Sequence, residues 1–225
     1  MIKNYFLFLA FLINCTFLFG EKANEIWWEK NLQNNVSIET FHQWLGEWQT
    51  PDRIYLHSYL RETNYDTILD IPCGLCIDFW GLKNANIEME YLGLDITQKL
   101  IDRAMNQGIP VMKASIENIP LEDSSFDITF SRHILEHLDD YQKAINELIR
   151  VAKKEVLISF FIKPNTLGKN IINSGMDRGC LLYHNCYDQK MMENFILRNP
   201  KVQSIKWKEI DLQSNLLHIY LKSTD

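Results

Sequence analysis

From Thr67 onward, apolar runs of strand length alternate with longer segments of helical character, and few folds accommodate that alternation. The runs at 67–71, 90–94, 110–113, 126–131 and 155–161 read as strands. Helices are expected at 77–83, 98–107, 140–152 and 189–198, with 204–211 and 216–222 as a closing antiparallel pair. Strands separated by helices pair in parallel, and right-handed crossovers stack the helices on both faces of the sheet. The expected fold class is therefore α/β: a doubly wound, mostly parallel, seven-stranded, Rossmann-like sheet. A length of 225 residues suits one such core with appendages, and no internal repeat is visible.

The N-terminal part has a different character. Residues 5–20 form an almost unbroken apolar run, preceded by Lys3 and followed by Glu21 and Lys22, which reads as a signal-like or anchor segment. The run is shorter than the roughly 20 residues of a comfortable membrane span and is interrupted by Asn14, Cys15 and Thr16, so a cleaved segment fits better than a span. Membrane association through residues 5–20 and a buried hydrophobic N-terminal helix are the other readings. Residues 21–64 are expected to form a helical cap, because Phe41, Trp44, Leu45 and Trp48 follow the i, i+3, i+4, i+7 spacing of one helical face. Trp27, Trp28, Trp44 and Trp48 are possible walls of a ligand site. Residues 65–225 make up the α/β domain.

A formal net charge of −6 disfavours a phosphate backbone as partner, so nucleic acid is not expected and a small molecule is. In a doubly wound sheet, ligands bind beyond the carboxyl ends of the strands, where strand order reverses. The first strand ends in Asp70-Ile71-Pro72-Cys73-Gly74-Leu75-Cys76, a turn of small residues that opens a helix. Gly74 lets a ligand approach the backbone, and the helix start offers free N–H groups. Asp70 suits a cationic or zwitterionic ligand better than a pyrophosphate. The second strand delivers Asp95, placed to hold ribose hydroxyls. The fourth strand delivers Ser131-Arg132-His133.

Over 65–161 these residues resemble the class I S-adenosylmethionine-dependent methyltransferases with small-molecule or undetermined substrates. The likeness is strongest in Glu117-Asn118-Ile119-Pro120, Ser125-Phe126-Asp127 and Ile134-Leu135-Glu136-His137-Leu138. It implies methyl transfer from S-adenosyl-L-methionine to a small or medium-sized acceptor by in-line displacement. Asp70, Ile71, Pro72 and Gly74 would then surround the cofactor's methionine part, Asp95 and Ile96 its ribose, and Ser115 and Ile116 its adenine. Ser131, Arg132 and His133 would edge the reaction centre, with His133 as general base, while Glu136 and His137 brace their surroundings. Tyr183 and His184, in the segment between the fifth strand and the next helix, are the substrate-site candidates. Three features depart from the family pattern: Pro72 and Cys76 stand at the first and third glycine positions, Ser115 stands where an Asp is frequent, and Lys153-Lys154-Glu155 replaces a Pro-Gly-Gly turn.

Competing readings come from the same residues. Cys73-Gly74-Leu75-Cys76 is a C-x-x-C at a strand-to-helix junction, as in a thiol-disulfide protein, though without the preceding βα unit such folds use. Cys180, His184 and Cys186 lack the paired spacing of a structural zinc site, and no metal is expected. The leader raises a further alternative, a non-catalytic or membrane-associated binding module on the same fold. It points to export or anchoring, whereas supply of the cofactor points to the cytoplasm.

Overall fold

A computed structural model describes residues 23–34, 37, 40, 48–212 and 214–223. Its strands are β1 (Thr67–Asp70), β2 (Glu90–Asp95), β3 (Val111–Lys113), β4 (Phe126–Arg132), β5 (Ala152–Phe160), β6 (Ser174–Asp177), β7 (Cys180–Tyr183), β8 (Val202–Glu209) and β9 (Asn215–Leu221). The described helices are α1 (Ala23–Asn34), α2 (Pro51–Arg61), α3 (Ile77–Asn84), α4 (Gln98–Asn106), α5 (Gln142–Val151) and α6 (Gln189–Ile196). Seven strands form one sheet in the order β3-β2-β1-β4-β5-β9-β8, parallel from β3 through β5 and antiparallel at β9 and β8. The seven-stranded, mostly parallel α/β fold expected from the sequence is the fold observed.

Successive strand residues face opposite sides, and here both sides are covered. Ile68, Ile128, Leu157 and Leu216 pack with Leu56 and Leu60 of α2 and Leu82 of α3. Their neighbours Leu69, Val156, Ile158 and Leu217 pack with Ile145 and Leu148 of α5 and Met192 of α6. The α2 face also buries a polar knot, because Glu155 and His218 stand side by side on β5 and β9. The Tyr59 and Tyr65 hydroxyls donate to Glu155 at 2.6 and 2.9 Å, and Tyr55 bonds His218 Nε2 at 3.0 Å. These bonds satisfy a carboxylate that would otherwise be buried unpaired, and they fix α2 on the sheet.

Helix α1 turns Trp27, Asn31 and Leu32 inward. Its Glu29 accepts from the backbone N–H of Gln98 at 3.1 Å, satisfying an orphan donor at the start of α4, and Lys99 Nζ reaches the Leu32 carbonyl at 2.8 Å. Trp27 Nε1 donates to Asp177 Oδ2 at 3.1 Å and ties α1 to β6. The helical face read from Phe41, Trp44 and Leu45, and the apolar run at 5–20, lie outside the described residues.

Two differences from the sequence reading have physical reasons. Lys153-Lys154-Glu155 is not a turn: Ala152 adopts extended angles at the end of α5, and β5 begins there, with Glu155 held by the knot described above. The segment read as a long loop contains a separate two-stranded sheet, β6–β7, closed by Arg178 and Gly179 at φ 49° and 79°. Two consecutive positive φ values are what a tight type I′ hairpin needs, and Arg in place of Asn or Asp hid the signal.

Candidate functional site

The chain runs outward from β1 to β2 and β3, then returns to β4 on the other side of β1. That reversal leaves a crevice over the carboxyl ends of β1 and β4. The loop after β1 folds across it: Cys73 N–H donates to the Leu94 carbonyl at 2.8 Å and Gly74 N–H to Asp95 Oδ2 at 3.0 Å. Gly74 and Cys76 turn the chain at φ 53° and 55°, a conformation natural to glycine and strained for cysteine.

The crevice holds a cavity of two lobes that share Trp28, Pro72, Ile96 and Ile134. One lobe is mostly apolar, adding Ile71, Ala114, Ser115, Ile116 and Leu138. The other, which carries the polar side chains, adds Asp95, Thr97, Arg132 and His133 beside Leu32, Gly74 and Leu100. Ile71, Pro72, Gly74, Asp95, Ile96, Ser115, Ile116 and His133, singled out from the sequence, are thus brought into one cavity. Asp70 and Ser131 stand behind its wall. Asp70 is buried and accepts from the Tyr91 hydroxyl at 2.7 Å, and burial beside Asp78 pushes its carboxyl well above the usual range. Ser131 Oγ is buried without a hydrogen-bond partner.

Asp95 is built to present a carboxylate. Its Oδ1 accepts from Thr97 N–H at 2.8 Å and its Oδ2 from Gly74 N–H. Burial raises its pKa, and these two N–H donors pull it back. The Thr97 side chain adds a third bond, which leaves the carboxylate one acceptor site for a ligand hydroxyl.

At the other end of the polar lobe, His133 sits at φ 56° with its N–H on the Ser159 carbonyl at 2.9 Å. Its Nε2 lies 3.5 Å from Asp52 Oδ2, at the outer reach of a hydrogen bond to that carboxylate. Burial lowers the imidazole's pKa and Arg132 adds to that, while Asp52 opposes, so the ring is neutral at pH 7 and able to accept a proton. Asp52 comes from α2 and accepts from Arg132 Nε at 2.6 Å and Ser159 Oγ at 3.0 Å. Burial alone would raise its carboxyl; His133 and Arg132 overcome that and hold it well below the usual carboxylate range. Arg132, read from the sequence at the edge of the reaction centre, does line the cavity and is ion-paired to Asp52. Asp52 escaped the sequence reading altogether, since its only local signal is a helix start after Pro51.

Beyond His133 the site becomes aromatic. His137 lies 5.2 Å from both Trp28 and Phe161, and 5.1 Å from His184, centroid to centroid. Its Nδ1 donates to the Tyr183 carbonyl at 2.7 Å, and burial brings its pKa down to about 4. His184 and the backbone carbonyl of Tyr183 therefore border this aromatic end, next to the cavity wall formed by Trp28 and His133, while the Tyr183 side chain lies on the other face of β7, with Leu181. Glu136 accepts at Oε1 from the N–H groups of Phe161 and Ile162 at 2.7 and 3.1 Å, and burial pushes it up to about 7. Glu136 and His137 brace the chain after β5 and the end of β7.

Cys73 and Cys76 are buried free thiols, and the neighbouring Cys76, with burial, pushes the Cys73 thiol well up. A redox nucleophile needs the opposite shift. Among the described residues no group of three or more His, Cys, Asp or Glu is placed to hold a metal ion, and no helix is long and apolar enough to cross a membrane.

Residues 69–160 match the family model described as a methyltransferase domain. An uncharacterized methyltransferase of Schizosaccharomyces pombe is 31% identical over 121 residues, covering 47% of this chain and 43% of that one. A second, from Bacillus subtilis, is 29% identical over 95 residues, 39% of this chain and 37% of its own. The chain thus spans less than half the length of the curated relatives it matches. Among solved structures, an S-adenosylmethionine-dependent methyltransferase from Mesorhizobium loti superposes with a TM-score of 0.57 at 16% identity, covering 78% of this chain and all of the other. Residues 69–160 are a methyltransferase domain, and the chain has the fold of the class I S-adenosylmethionine-dependent methyltransferases.

Proposed function

We propose that the chain transfers the methyl group of S-adenosylmethionine to a small or medium-sized acceptor. The observation that carries this reading is the two-lobed cavity over β1 and β4, with the Gly74 loop, the Asp95 carboxylate and the Ser115–Ile116 wall arranged around it. The residues fit the cofactor: the apolar lobe offers Ile96, Ile116 and Leu138 to a flat base, with Ser115 at its edge. Asp95 offers its remaining acceptor site to a ribose hydroxyl, and the Gly74 loop, which has no side chain at its crest, lets an amino-acid tail lie close to the backbone.

The bound cofactor supplies a methyl group on a sulfonium, an electrophile with an excellent leaving group. The protein's part is alignment, which contributes up to about 7–11 kcal/mol in favourable cases. His133, neutral and lining the polar lobe, takes the proton that an oxygen or nitrogen acceptor sheds, an effect of about 10² to 10⁴ in rate. Asp52 faces His133 Nε2 and stabilises the imidazolium that forms. His184, with Trp28 and Phe161, borders the acceptor, and Tyr183 takes part through its carbonyl, which holds His137.

Calorimetric titration with S-adenosylmethionine and S-adenosylhomocysteine, with NAD as control, tests the reading. Both adenosyl ligands should bind and NAD should not. Asp95→Ala should weaken binding by about 1.5–3 kcal/mol, roughly 10- to 150-fold, through loss of a charged hydrogen bond. Absence of binding by either ligand would overturn the proposal.

A further inference from the structure

The β6–β7 hairpin stands apart from the main sheet, and its two faces differ. Asp177 points to α1, where it receives the Trp27 N–H. Alternation along the strand turns Met176 to the opposite face, together with Ile172 just ahead of β6 and the cross-strand partner Leu181. This outer face is apolar and open: Met176 is 71% exposed and Ile172 53%. Arg178 stands at the hairpin turn and Lys169 three residues before Ile172; both are exposed and, among the described residues, neither has an ion-pair partner. The only acid between 163 and 183 is Asp177, which is turned inward, so the hairpin is locally cationic in a chain of net charge −6.

We propose that this face docks on an anionic membrane surface, with Ile172, Met176 and Leu181 entering the headgroup boundary and Lys169 and Arg178 meeting lipid phosphates. Charge complementarity is one argument, since each cation near an anionic leaflet adds to the attraction and each apolar side chain adds burial. The chain's own connectivity is the other. The apolar run at 5–20 ends seven residues before Trp27, the residue bonded to the hairpin, and seven residues span at most about 25 Å. If that run engages a bilayer, the hairpin is held within reach of the same surface. The inference does not depend on the methyl-transfer reading.

Amide hydrogen exchange of the full chain, with and without vesicles, tests it. Vesicles of phosphatidylcholine mixed with phosphatidylglycerol should slow exchange across 167–183 severalfold, and pure phosphatidylcholine should have much less effect there. Lys169→Glu with Arg178→Glu, and separately Ile172→Asp with Met176→Asp, should abolish the protection while leaving the thermal midpoint within about 2 °C of wild type, as expected for exposed positions. Unchanged exchange in 167–183 with anionic vesicles would overturn the proposal, as would full protection of the charge-reversed variant. Protection that grows with protein concentration in the absence of vesicles would overturn it too, assigning the face to a second copy of the chain.

Discussion

Glu136 and His137 are adjacent and both buried, yet acid acts on them in opposite senses. Burial raises Glu136 to about 7 from an ordinary 4.5 and lowers His137 to about 4 from 6.5. Folded Glu136 binds its proton more tightly than the unfolded chain does, so its stabilising contribution is complete below pH 4.5 and is lost as pH rises to 7. For His137 the unfolded chain binds more tightly, so its contribution is complete above pH 6.5 and is lost as pH falls toward 4. Each shift covers two and a half pH units, about 3 kcal/mol at about 1.36 kcal/mol per unit. Between pH 4.5 and 6.5 the two slopes cancel in the wild type. Glu136→Gln retains an oxygen to accept from Phe161 and Ile162 and removes only the titration. Relative to wild type, the variant should therefore gain about 3 kcal/mol of stability between pH 4.5 and 7.5. Urea unfolding of both proteins at a series of pH values measures this difference. A difference that stays flat to within about 0.5 kcal/mol would refute the reasoning, because Glu136 would then titrate alike in both states.

Three further outcomes follow from the same structure. Asp52→Asn leaves the Arg132 guanidinium buried without its carboxylate, and denaturant unfolding should show a loss of about 3–5 kcal/mol; adding Arg132→Met should recover at least half of it, since removing both charges is nearly neutral. A histidine NMR titration should place the His133 midpoint below 6.5, and lower still in Asp52→Asn, because Asp52 is the group that opposes the downward shift. A Cβ at Gly93 would lie 2.9 Å from Cys73 Cβ and Sγ, so Gly93→Ala should cost about 1–3 kcal/mol in stability and weaken cofactor binding by displacing the Gly74 loop, although Gly93 is not in the cavity wall; unchanged calorimetric affinity would show that the loop absorbs the methyl group.

What could be read in advance was what the chain encodes locally. Strand ends, the small-residue turn after β1 and the acid closing β2 are contiguous patterns, and in this topology their position along a strand fixes their place in the crevice. Asp52 could not be read, because its meaning comes from Arg132, which is 80 residues away, and Ser159, which is 107 away. The early start of β5 was hidden for a similar reason. Lys153-Lys154-Glu155 is polar and looks like a turn until Tyr59, Tyr65 and His218 supply partners for the carboxylate. Asp70 illustrates the reverse: its position at the end of β1 was legible, but the Tyr91 hydroxyl that occupies it was not.

Trp28 walls both lobes of the cavity, so a ligand filling them lies under α1. The helix is fastened by bonds from Glu29 to Gln98 and Lys113, from Lys99 to the Leu32 carbonyl, and from Trp27 to Asp177. None of these is a bond to the β1 loop or to His133, and only the Glu29 charge reaches Asp95, whose carboxyl it helps to raise. On the proposed function, the floor of the site would set the alignment of reacting atoms and the roof how long a ligand stays. Loosening the roof at Lys99 or Trp27 should, on that function, change how long a ligand stays without touching Asp95 or His133, whereas Glu29 also acts on Asp95 through its charge.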